Sequence, residues 1–158
     1  INGDNIKSYE EVMEESYRMY INDHKKVWIK FFEILLRSNK RPIIFHCSAG
    51  KDRTGIASFM IQSIFNNHID MIFENYLISN DLLTIKAATA EQKTDSSKQD
   101  TLVTKNMLIT LGKVKKSYLN AAIDEIKKNY NSLENYLISQ LGLKHNDIQK
   151  LQQILFRE

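Results

Sequence analysis

A cysteine and an arginine stand six positions apart, Cys47 and Arg53, within the stretch HCSAGKDRTG that runs from His46 to Gly55. Residues of these types at this spacing suit a loop that grips a doubly charged anion. The backbone N–H groups from Ser48 through Arg53 can turn inward toward the positive end of a following helix and form a nest. The Cys47 thiol would lie at its floor, with Ser48, Ala49, Gly50, Lys51, Asp52 and Arg53 around the bound group. So many donors, with a guanidinium beside them, should pull the thiol below the roughly 8.5 of a free cysteine and leave much of it as thiolate at neutral pH. Arg53 offers a planar fork for two equatorial oxygens of a phosphoryl group, which lysine cannot reproduce.

The chemistry this permits is attack of the Cys47 thiolate on the phosphorus of a phosphate monoester. The alcohol or phenol leaves, and water then hydrolyses the thiophosphate on the enzyme. The leaving oxygen needs a proton and the attacking water must lose one, so a carboxyl group is expected near the loop. Asp52 is the nearest; it serves either as that acid or as a partner orienting Arg53 and neighbouring backbone. The Thr54 hydroxyl can donate to the sulfur and make it a better leaving group. Ser48 suits a loop-stabilising role, and His46 supports the cysteine through hydrogen bonding. The competing reading makes Cys47 a small buried apolar residue at the end of a strand.

The elements that hold such a loop are readable on both sides. Pro42-Ile43-Ile44-Phe45 is a short β-branched and aromatic run suited to a buried strand. From Arg53 to about Asn67, Ile56, Phe59, Met60 and Ile64 fall on one side of a helix, and Gly55 allows that helix a close approach to its neighbour.

HCSAGKDRTG resembles the Cys-x5-Arg signature of the cysteine-based protein tyrosine phosphatase superfamily. It is most similar to bacterial tyrosine/serine phosphatases whose loop reads HC-x-AGKDRTG. The likeness continues in Asn75-Tyr76-Leu77-Ile78-Ser79-Asn80 and from Tyr118 through Tyr130 and Tyr136-Leu137 to Gly142-Leu143, so roughly residues 42 to 158 are covered. The resemblance implies an α/β fold with a central sheet flanked by helices. It also implies activity on phosphotyrosine proteins and, in some members, on phosphoserine, phosphothreonine or phosphoinositides. Lys51, as charge at the pocket rim, would favour a substrate with more than one phosphate. A loop aspartate matching Asp52 is the general acid in relatives that lack a separate acid loop. Three functions are therefore carried forward: a protein phosphatase, a phosphoinositide or inositol phosphate phosphatase, and a phosphate-binding module without turnover.

Against that fold, the chain offers one clear strand, at about 41–46. Helices are expected at Ser8–Tyr20, opened by the capping box Ser8-x-x-Glu11 with Tyr9, Val12, Met13 and Tyr20 inward, and at Asp23–Ser38, with Val27, Trp28, Phe31, Phe32, Leu35 and Leu36 inward. More follow at Ile69–Leu83, Ser117–Tyr130, Ser132–Leu141 and Asn146–Arg157, with Gly142 as a stop and Asn146-x-x-Gln149 as a start. A lone strand cannot satisfy its own edges, so the expectation is a single domain over 1–158 that forms the catalytic, C-terminal portion of a fold whose N-terminal strands are absent. Residues 84–112, polar over much of their length, read as a lid or as a plain solvated connector.

Composition narrows the rest. The 158 residues carry 22 Lys and Arg against 19 Asp and Glu, a net charge of +3, mixed along most helices, which points away from nucleic acid. Nothing is long enough to span a bilayer. One cysteine excludes an internal disulfide. His24, His68 and His145 lack metal-ligand spacing, and thiolate chemistry requires no metal or cofactor. Residues 1–8 show neither the basic start nor the apolar stretch of a secretory signal, which leaves cytoplasmic and secreted locations both open.

Overall fold

The computed structural model describes residues 8–81 and 112–155, and its first helix starts where the sequence sets the capping box. The Ser8 hydroxyl accepts from the Glu11 N–H at 3.2 Å, while the Glu11 carboxylate accepts from the Ser8 N–H at 2.6 Å. Helix α1 (Tyr9–Asn22) then buries Tyr17 and Ile21 completely, with Met13 and Tyr20 packed at the margin. The expected stripe is thus turned: Tyr9 and Val12 are 40% and 44% exposed. Apolar side chains flank both sides of the Met13–Tyr20 line, and the packing partner decides which flank is covered.

Helix α2 (Lys25–Arg37) buries Trp28, Phe32 and Leu35, with Phe31 and Leu36 half-buried and Val27 facing out. The Trp28 Nε1–H donates to the Tyr20 carbonyl at 2.7 Å, which ties α2 to the last turn of α1. Helix α3 (Asp52–Ile64) buries Ile56, Phe59, Met60 and Ile64 as their spacing predicts. Helix α4 (Ile69–Leu77) buries Ile72, Phe73 and Tyr76, the last of them against α3. The remaining helices are α5 (Lys116–Tyr130), α6 (Leu133–Ser139) and α7 (His145–Leu155). Gly142, at φ +72°, makes the turn between the last two, a conformation glycine adopts without strain. The start of α7 is fixed by Asp147, whose carboxylate accepts from the Lys144 N–H at 2.9 Å, rather than by the Asn146-x-x-Gln149 pair.

Helix α1 lies most extensively along α5, while α3 touches α4, α5 and α6. The core between them is rich in tyrosine: the Tyr17 ring centroid lies 5.9 Å from that of Tyr118 and 5.8 Å from that of Tyr20. Each buried hydroxyl must find a partner. Tyr136 donates to the Ile21 carbonyl at 2.7 Å, satisfying an end of α1. Gln152 Nε2 donates to the Ile64 carbonyl at 2.7 Å, which closes the C-terminal end of α3.

The α/β expectation is corrected. Among the described residues there is no strand and no sheet; the elements are helices throughout. Residues 41–47 are not helical, and their side chains alternate in exposure as those of a strand do: Ile43, Phe45 and Cys47 are half-buried, Ile44 and His46 exposed. A β-branched run sets an extended backbone by itself, but a ladder needs a second strand, and every neighbour described here is patterned for a helix. The expected lid or connector lies almost wholly outside the described residues.

Candidate active site

The extended segment delivers Cys47 to the start of α3. Phe45 anchors it on α2, its ring centroid 5.2 Å from that of Phe31 in an edge-to-face contact. The Cys47 N–H then donates to Thr54 Oγ1 at 3.0 Å, binding the segment to the first turn of α3. Gly50, at φ +70°, reverses the chain between them; a Cβ there would meet nothing within 4 Å, so glycine is needed for the backbone angle and not for space.

The thiol sits in a ring of donors. Partial burial pushes the Cys47 thiol up, but hydrogen bonds from the Thr54 hydroxyl and from the backbone N–H groups of Thr54, Gly50 and Lys51 more than offset this and bring it down to about 7. The Thr54 hydroxyl can accept from the Cys47 N–H and donate to the sulfur at once, because it carries one hydrogen and two lone pairs. The half-buried sulfur is not sealed in apolar packing.

The other loop residues fall into distinct places. Ser48 and Ala49 are exposed. His46 is exposed, its Nδ1 3.1 Å from the Cys47 carbonyl oxygen; since a carbonyl only accepts, the ring nitrogen donates. Its support thus reaches the cysteine's backbone. Arg53 is exposed on the first turn of α3, its guanidinium carbon 6.0 Å from the centre of the Tyr20 ring. Lys51 lines the cleft beside the loop but turns inward rather than to solvent. It is buried, 8% exposed, with Nζ 3.2 Å from both Oδ1 and Oδ2 of Asp52. Asp52 opens α3, where a carboxylate also faces the favourable end of the helix.

Behind the loop is a feature that sequence reading missed. Tyr17 Oη donates to Asp52 Oδ1 at 2.9 Å and lies 2.6 Å from Tyr76 Oη. Burial pushes both phenols well above their usual range, so both hydroxyls keep their protons. Tyr20 is legible in the sequence as inward-facing; Tyr17 is not. Its only sequence signal is an aromatic with a polar tip four residues after Met13 and four before Ile21, which predicts burial but not a partner. Beside the loop, a cleft of about 270 Å³ opens between α3 and α4, walled by Gly50, Thr54, Ser58, Gln62, Asn75 and Ser79.

Among the described residues no group of three or more His, Cys, Asp or Glu is placed to hold a metal ion, and no helix is long and apolar enough to cross a membrane.

Comparison with known proteins agrees with the loop. The chain is 33% identical over 97 residues to a putative tyrosine-protein phosphatase of Cupriavidus necator, covering 61% of this chain and 34% of the relative. It is 32% identical over 130 residues to the triple specificity protein phosphatase PtpB of Mycobacterium tuberculosis, covering 77% of this chain and 46% of that one. It is 34% identical over 71 residues to an inositol diphosphatase of Saccharomyces cerevisiae, covering 45% and 25%. The chain therefore spans between a quarter and a half of the length of these relatives. The model of the tyrosine phosphatase family matches residues 2–157, nearly the whole sequence, and with the Cys47 loop in place the chain belongs to that family.

Proposed function

We propose that residues 1–158 form one catalytic domain of a phosphatase that hydrolyses phosphotyrosine in proteins, and phosphoserine and phosphothreonine as well, through a cysteinyl-phosphate intermediate. The carrying observation is the Cys47 thiol, ringed by Thr54, Gly50 and Lys51 donors and lowered to about 7, at the N-terminus of α3. Cys47 attacks phosphorus while Arg53 and the loop N–H groups of Ser48 through Arg53 hold the equatorial oxygens. Asp52 gives its proton to the departing oxygen, then takes one from the water that attacks the thiophosphate. Thr54 donates to the sulfur as it leaves. A mere binder has no use for a thiol so activated.

A second reading, hydrolysis of phosphoinositides or inositol phosphates, draws on the likeness to the inositol diphosphatase and to PtpB. Lys51 would support it only on leaving Asp52, since here the two are paired.

Turnover of para-nitrophenyl phosphate that vanishes in Cys47→Ser, while tungstate still binds the variant, is the expected result. Tungstate binding by the wild type without turnover would replace this reading with that of a phosphate-binding module. Phosphotyrosine peptide and phosphoinositide, compared in wild type and Lys51→Ala, separate the substrate classes: a loss confined to the lipid favours the second.

A further inference from the structure

The loop grips the Asp52 carboxylate without preference between its oxygens, Lys51 Nζ lying 3.2 Å from both. The torsion that turns a carboxylate about its own axis is broad and nearly two-fold, so a group meant to meet a substrate oxygen swings unless something holds one of its oxygens. Tyr17 does so: its Oη donates to Oδ1 at 2.9 Å across 35 positions of sequence. Tyr17 is itself immobile, completely buried among the rings of Tyr20, Tyr76 and Tyr118.

The direction of the chain of hydroxyls follows from valence. Ionised, or protonated on Oδ2, Asp52 has no hydrogen on Oδ1 to give, so the single Tyr17 hydrogen goes to Oδ1. The 2.6 Å contact with Tyr76 is then Tyr76 donating to Tyr17. Tyr76 is in turn wedged against Gly55 in the first turn of α3. Helices α1, α3 and α4 thus meet in one line, Tyr76 to Tyr17 to Asp52.

We infer that Tyr17, backed by Tyr76, is a positioning residue for catalysis: its bond to Oδ1, added to the Lys51 contact that both oxygens share, tells the two apart and leaves Oδ2 the oxygen that carries the proton. The inference rests on the phosphatase reading above and names a residue outside the loop motif, on a different helix. When Asp52 acts as acid, the O–H bond on Oδ2 breaks, the leaving oxygen gains that proton, and the electron pair stays on the carboxylate, which Tyr17 and Lys51 receive. When it acts as base, Oδ2 recovers a proton from water. Tyr17 keeps its own hydrogen throughout.

The test compares Tyr17→Phe, Tyr76→Phe and Asp52→Asn, alone and as the double variant Tyr17→Phe/Asp52→Asn, on phenyl phosphate and para-nitrophenyl phosphate, with circular dichroism confirming each fold. Phenol is the poorer leaving group and leans harder on the acid. The expected result is a kcat loss of about tenfold for Tyr17→Phe on phenyl phosphate, smaller on the nitrophenyl ester, with KM kept. Tyr76→Phe should show the same pattern more weakly, and Tyr17→Phe should cost nothing further once Asp52 is Asn. Unchanged kcat, equal losses on both esters, or full additivity with Asp52→Asn would each overturn the inference while wild-type turnover leaves the phosphatase reading standing. Should Tyr17→Phe fail to fold, Tyr76→Phe decides on the same criteria. Absence of turnover in the wild type overturns both.

Discussion

Gly55 on α3 and Tyr76 on α4 are in such close contact that a Cβ on the glycine would lie 2.7 Å from both Cδ2 and Cε2 of the ring. Glycine in a helix interior ordinarily costs about 1 kcal/mol relative to alanine. Here the sign reverses. The ring is 6% exposed and bonded through its hydroxyl, so it cannot swing aside as a surface side chain would. Overpacking of this kind costs roughly 1–3 kcal/mol. Gly55→Ala should therefore be destabilising by about 1 kcal/mol net, and urea unfolding followed by circular dichroism reads it directly. A stabilised Gly55→Ala would show that the two helices part easily.

The Cys47 donors make a prediction in pH. With the thiol at about 7, the thiolate fraction, and with it the rate of alkylation by iodoacetamide, rises as pH climbs through that value and levels off above it. Thr54→Val removes the hydroxyl bond to the sulfur and the acceptor for the Cys47 N–H. The midpoint should then move up toward the roughly 8.5 of a free cysteine. A profile that does not move would assign the lowering to the backbone donors of Gly50, Lys51 and Thr54 alone.

How much of this was legible depended on whether a feature is local. The loop was, because Cys47, Gly50, Arg53 and Thr54 act within one turn of backbone and one helix start, and their spacing carries the geometry. Helix α3 was legible for the same reason: Ile56, Phe59, Met60 and Ile64 form an unambiguous 3.6-residue stripe. The sheet was inferred from likeness and from one extended run, and a ladder is a property of two segments, of which residues 8–81 and 112–155 hold only one. The pairing of Lys51 is not legible, because a cation that looks free in a sequence is drawn in by the neighbouring Asp52 carboxylate. Tyr17 was invisible because its partner is 35 positions away. No local pattern encodes that pairing.

Arg53 and Tyr20 give a graded prediction. The guanidinium carbon stands 6.0 Å from the ring centre, at the outer range of a cation–π contact worth about 0.5–1 kcal/mol at an exposed site. Tyr20→Leu should weaken tungstate binding by only about two- to fivefold, the same energy expressed as an equilibrium constant. Arg53→Lys keeps the charge but loses the two-pronged fork, and should lower kcat/KM on para-nitrophenyl phosphate by about 100-fold or more. Comparable effects from the two variants would mean that the ring, and not the fork, is what matters at this position.

The extended segment supplies the last prediction, since it presents two adjacent apolar residues to opposite surroundings. Ile44 is 93% exposed, whereas Phe45 is half-buried on Phe31. An exposed side chain has already lost nothing to water that folding could recover, so Ile44→Thr should change stability by less than about 0.5 kcal/mol. Phe45→Ala removes ring contacts with α2 and should cost about 2 kcal/mol. Because Phe45 lies two residues before Cys47 on the same face, its loss should also loosen the thiol's placement and slow turnover, while Ile44→Thr leaves turnover intact. Thermal unfolding of both variants at equal concentration checks the asymmetry. A large loss on Ile44→Thr would mean that the outer face of this segment is covered in solution.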